Sequence, residues 1–135
     1  MPAELTVLAL GAVLLLVHVL LAGRYRTQQY GTAWNMGARD ETLPPLNAIA
    51  GRLERARANF QETLPLALVG LIGVVVAGKA SDLTALAAWV WLAARIIYLP
   101  LYWTGVPRWR TLVWGIGTLA LLMVLGVLLF GKAAV

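Results

Sequence analysis

Eight polar side chains in this chain have types and spacings that suit chemistry. Arg52, Arg55, Asn59 and Glu62 are spaced three, four and three residues apart. At about 100° per residue on a helix they fall within an arc of roughly 80°. Arg95, Tyr98 and Tyr102 are spaced three and four and fall within roughly 60° on the same rule. Arg110 stands at the start of a later apolar run. Guanidinium groups beside one acid, one amide and two phenols suit a small zwitterionic or polyanionic ligand. Arginine grips carboxylates bidentately. Glu62 can take a ligand ammonium, and Asn59 can bond a peptide group. A pocket of net positive charge also lowers the pKa of a bound thiol from about 8.5. Residue chemistry alone ends at an anionic ligand. A plainer reading stands beside it: arginines near helix ends snorkel, tyrosines join the aromatic belt, and one Arg–Glu pair locks two helices.

The elements that must carry these residues are membrane spans. The 135 residues are 61% hydrophobic and 13% charged, with a mean hydropathy of +0.79. A soluble domain carries about a quarter of its residues charged. Spans of roughly 20 residues use nearly all of this length, so the expectation is one domain, 1–135, an all-α bundle of four transmembrane helices at about 5–23, 46–78, 83–104 and 111–131. Arg24 and Arg26 follow the first apolar run instead of preceding it, so it is read as a span and not a signal peptide. Residues 24–46 form a polar connection in which Pro44-Pro45 ends irregular chain. Pro65 should bend the second helix. Ser81 or Asp82 caps the third. Glu62 lies where the second helix has entered the apolar zone, where an acid is costly unless paired, and Arg55 or Arg95 can pair with it. Arg57 falls off the arc and is expected to meet headgroups. His18 is expected to be a hydrogen-bonded interior residue.

Charge and composition narrow the partners. There are no cysteines, so disulfides and thiolate metal sites are excluded, and one His with six acids argues against a metal site. The net charge is +5, but the basic residues flank apolar runs, so lipid headgroups explain them and nucleic acid does not. Nine of the eleven Lys and Arg lie in the 24–57 and 95–110 regions. The positive-inside rule therefore expects both termini to be non-cytoplasmic and the polar stripes to lie at the cytoplasmic face.

The run Arg55-Ala56-Arg57-Ala58-Asn59-Phe60-Gln61-Glu62-Thr63-Leu64-Pro65 resembles the RAxxNxxE signature of the MAPEG family, the membrane-associated proteins in eicosanoid and glutathione metabolism. Ala94-Arg95-Ile96-Ile97-Tyr98, then Tyr102, then Pro107-Arg108-Trp109-Arg110-Thr111 is similar to that family's third and fourth helices. The resemblance covers about residues 46–118. It implies a homotrimer of four-helix protomers with cytoplasmic glutathione sites between subunits. It implies that Arg52, Arg55, Asn59, Glu62, Arg95, Tyr98 and Tyr102 bind glutathione as a co-substrate, and that Arg110 is catalytic, stabilising its thiolate. Arg24 matches an arginine at the end of the first helix more loosely. Ala58 stands where prostaglandin E synthase-like members have a glutathione-contacting arginine, Tyr98 where they have histidine, and Trp114 where they have tyrosine. Thr111 replaces a serine. These departures resemble the family's bacterial branch and imply a bacterial inner membrane.

Three functions compete. The first is a glutathione-dependent transferase or peroxidase acting on lipophilic electrophiles, favoured by Arg110. The second is a non-catalytic member that binds lipid or another ligand, favoured by Ala58. The third is a small four-span multidrug exporter. Such exporters rely on an acid in the first span, and Leu5 to Gly23 has none.

Overall fold

The computed structural model describes residues 1–133, so the last two residues of the expected domain lie outside it. The order is α1 (Ala3–Tyr30), α2 (Thr32–Met36), α3 (Ala48–Ala67), a π-helical turn (Leu68–Ile72), α4 (Gly73–Val76), α5 (Asp82–Trp103) and α6 (Pro107–Phe130). α3, the π turn and α4 run on as one span, Ala48–Val76, so four helices are long and apolar enough to cross a membrane. Each has at least 22 residues, or about 33 Å at 1.5 Å per residue, against a hydrocarbon core of about 30 Å.

The first helix outruns its expected end at Gly23. Arg24 to Tyr30 contain no breaker, so the helix continues until Gly31 turns the chain at φ 96°. The polar connection is shorter than expected and includes the small helix α2. Its return strand is tied to α1: Tyr30 donates to the Pro44 carbonyl at 2.5 Å and Gln29 Nε2 to the Pro45 carbonyl at 3.0 Å. Gln29 Oε1 accepts from the Asn47 amide at 2.8 Å. The second span starts at Ala48, where the Asn47 side chain accepts from the Ala50 amide. Asn47, and not the double proline, caps that helix.

Pro65 removes one rung of the helical ladder. Three residues later the ladder shifts to the wider π register at Leu68–Ile72, one of the known ways a helix absorbs such a defect. Past it the span lies tight against α6. A Cβ on Gly73 would stand 2.6 Å from Leu128 Cδ2, so only glycine permits this approach without moving Leu128. Lys79 Nζ donates to the Leu128 carbonyl at 2.7 Å and fastens the same end. Ser81 caps α5 with Thr84 in a reciprocal pair of hydrogen bonds. α6 begins at Pro107, a favourable first helical position, four residues before its expected start, so Arg108 and Arg110 are inside its first turn.

The core is a column of Val7, Phe60, Leu71, Trp91, Leu121 and Val124 between the spans. Outside, Val13, Leu16, Leu20, Val69, Leu86 and Leu119 are exposed. Such a surface is unsuitable for water and suitable for acyl chains. Glu4, just outside the expected first span, is inside α1 and buried, and its Oε1 accepts from Thr84 Oγ1 at 2.5 Å. The argument against an exporter from an acid-free first helix therefore does not hold as stated.

Candidate functional site

Helix polarity brings the end of α1, the start of α3, the end of α5 and the start of α6 to one end of the bundle. Arg52 Nε donates to the Trp103 carbonyl at 2.9 Å, satisfying one of the free carbonyls at the end of α5. The Arg55 guanidinium carbon lies 6.0 Å from the Tyr102 ring centre, and that of Arg110 lies 4.6 Å from the same ring. Tyr102 meets Tyr98 edge-on, at 5.5 Å. Arg95 is 2% exposed. Its Nη1 donates to Asn59 Oδ1 at 2.9 Å, and its charge lies over the rings of Tyr98 at 4.4 Å and Phe60 at 5.0 Å.

Two clefts open among these groups. One, of about 220 Å³, is lined by Asn59, Tyr98, Arg110, Thr111 and Trp114. The other, of about 210 Å³, is lined by Arg52, Arg55, Tyr102, Gly105, Pro107 and Arg110. Arg110 is common to both. A cation in the first turn of a helix is disfavoured by the macrodipole, by about 0.3–1 kcal/mol at a surface. Helix dipole and guanidinium instead reinforce one another towards an anion placed in either cleft. Trp114, which stands where related members have tyrosine, is a wall of the first cleft. The signal for it was its place one turn after Arg110.

Seven of the eight expected site residues come together, and Glu62 does not join them. It is exposed and has no ion pair among the described residues. The expected pairing with Arg55 or Arg95 is absent for a geometric reason. Phe60 faces the core, and Glu62 is two residues on, or about 200° around the helix. Arg52 and Asn59 sit about 80–100° from Phe60, at the edge next to α5. The arc is one stripe in sequence, but its inner margin faces the bundle and its outer margin faces away. Arg57 also departs from expectation: it pairs with Glu54 and donates to Gln61 Oε1 at 2.5 Å. Glu54 accepts from Arg26 of α1 at 3.1 Å, so Glu54 is the acid that joins two helices.

His18 is an interior residue, as expected. Its Nδ1 lies 2.8 Å from the Leu14 carbonyl, and its ring stacks on Phe60 at 4.9 Å. Among the described residues no group of three or more His, Cys, Asp and Glu could hold a metal ion.

A family model described as the MAPEG family matches residues 5–130. The chain belongs to the MAPEG family. Among curated proteins and solved structures, none is significantly similar to it. The MAPEG match spans all four membrane helices and every residue of the two clefts, and it disposes of the exporter reading on firmer ground than the first helix did.

Proposed function

We propose that this MAPEG protein is a membrane-bound glutathione-dependent transferase or peroxidase for lipophilic electrophiles. The observation that carries the proposal is Arg110, held over Tyr102 at the helix N-terminus where the two clefts meet. A thiol lodged beside it is drawn towards the thiolate, which is the nucleophile in transfer to a carbon electrophile or a peroxide. Arg52 and Arg55 match the carboxylates of glutathione. Asn59, held by Arg95, matches a peptide group, and Tyr98 and Tyr102 form the wall between. Calorimetric titration of the purified protein with glutathione, beside thiolate absorbance against pH, tests the reading. Absence of binding rejects it.

A second reading has its own support. Ala58 stands where prostaglandin E synthase-like members have a glutathione-contacting arginine, and Glu62 stands apart from the cluster. Both favour a member that binds lipid or another ligand without catalysis. The same departures, with Tyr98, Thr111 and Trp114, favour the bacterial branch and an inner-membrane location.

The homotrimer is proposed because the outer margin of the stripe calls for a neighbouring copy and the family resemblance supplies the number three. Arg55 and Glu62 are exposed within a membrane span, where charge is costly without a partner. A site between copies gives both a place. Mass measurement in mild detergent, corrected for bound detergent, should give three chains, and a monomer would reject the assembly. In the assembled site Glu62 grips the ligand ammonium in ground and transition states alike. Glu62→Gln should therefore weaken glutathione binding by about 10- to 100-fold, as for loss of a charged hydrogen bond, and change kcat little. Unchanged affinity would remove Glu62 from the site.

The orientation proposed has the arginine-rich end in the cytoplasm. A cysteine at Thr32 should be labelled from the cytoplasmic side, and one at Ala133 from the opposite side. Labelling of position 133 from the cytoplasm alone would invert the topology.

A further inference from the structure

Arg95 carries more charge than its protein partners answer. It is 2% exposed and sits about two turns from the end of α5. Its hydrogen-bonded partner is the neutral Asn59, and its ring partners are Phe60 and Tyr98. Both ion pairs among the described residues belong to Glu54 and involve Arg26 and Arg57. A buried guanidinium without an anion is costly by several kcal/mol. Two of its nitrogens, Nε and Nη2, are buried and have no hydrogen-bond partner. These lie on one edge of the guanidinium plane, the edge that chelates anions through two parallel N–H bonds.

That side chain lines a small, partly closed cavity between the second span, α5 and α6. Its other walls are Thr63, Leu66, Trp91, Trp114, Thr118 and Leu121. Arg95 lines neither of the clefts that Arg110 joins. The cavity is about 30 Å³, and roughly 10–15 Å³ of such space is enough to seat one water. It therefore has room for one small particle. The titratable neighbours of Arg95 are Tyr98, whose ring it covers, and His18, beyond Phe60. The His18 Nδ1 lies against a carbonyl, and an imidazole is either neutral or cationic. It supplies no counter-charge.

We infer that this cavity is a binding site for a small inorganic anion of halide size, chelated by Arg95 Nε–H and Nη2–H. The anion neutralises the guanidinium within the membrane and leaves Nη1 free to hold Asn59 at the edge of the first cleft. A water of the same size satisfies the two donors but not the charge, which is why an anion is the better occupant. The inference does not rest on the activity proposed at Arg110, although the cavity shares Trp114 with the first cleft and meets it through Asn59.

The full-length protein, purified in detergent with gluconate as the anion, provides the test. Chloride or bromide added at constant ionic strength should raise the unfolding temperature by at least about 3 °C between 1 and about 100 mM, and saturate. Sulfate, too large for the cavity, should give less than either. Bromide should also quench tryptophan fluorescence with a saturable component, because Trp91 and Trp114 form the walls. Thr118→Ile replaces the wall's hydroxyl with an ethyl group, one heavy atom larger, and leaves Arg95 in place. It should abolish both responses in a folded protein, and Arg95→Gln should do the same. A sulfate effect equal to that of chloride would assign the response to surface arginines and overturn the proposal. So would a halide response kept in full by Thr118→Ile, or no halide response in the wild type, which would leave a water in the cavity.

Discussion

Arg110→Ala should reduce glutathione turnover near neutral pH by about 100- to 1,000-fold, the usual cost of removing one preorganised stabiliser of developing negative charge. The residue is placed for that role by two features. Its guanidinium rests on the Tyr102 ring, which limits its movement, and it lies in the first turn of α6, where helix dipole and side chain act in the same direction. Ligand affinity should change much less, because Arg52 and Arg55 remain to hold the carboxylates. The pKa of the bound thiol should rise towards its ordinary value of about 8.5. Activity should then recover as pH is raised, since the thiolate forms without help above its own pKa. Arg110→Lys should restore part of the loss, as it keeps the charge and loses the planar fork. The measurements are thiolate absorbance and turnover against pH for the three proteins. An unchanged thiol pKa in Arg110→Ala would show that the thiolate is stabilised elsewhere.

Phe60→Ala should destabilise the protomer by about 3–5 kcal/mol, the range for truncating a buried aromatic residue. Phe60 is 0% exposed. It stacks on His18 of α1 at 4.9 Å and on Trp91 of α5 at 6.1 Å, and the Arg95 charge lies over its ring. Removing it opens a cavity where α1, α3 and α5 meet, and it strips Arg95 of a favourable ring contact. Phe60→Leu should cost less, since it keeps most of the volume. Denaturation from mild detergent into increasing mole fractions of a denaturing detergent measures both. Glutathione affinity should fall with Phe60→Ala as well, because Arg95 positions Asn59. A loss under about 1 kcal/mol would mean that the junction is loosely packed and relaxes around the gap.

The sequence by itself determined the four apolar spans, the concentration of arginine at one end and the two narrow polar stripes. Each follows from local physics: the length needed to cross hydrocarbon, and the 3.6-residue period that sets angles between side chains on one helix. The motif around Arg55 to Pro65 also carried the family. Tertiary structure alone decided how each helix is rotated about its axis. Periodicity fixes the angle between Asn59 and Glu62, but not which of them faces a neighbour. That was decided by packing, because Ala50, Leu53, Ala56, Phe60 and Ala67 are the buried residues of α3, and this turns Glu62 outward and Asn59 towards Arg95. The same rotation brought Glu54 to Arg26, 28 positions away, and gave the helix-joining role to an acid that the stripe had left out. Helix ends moved for similar reasons. α1 ran past Arg24 because nothing before Gly31 stops it, and its extra turns hold the returning loop through Gln29 and Tyr30. Such contacts span 14 to 18 positions, and no local pattern in the chain announces them.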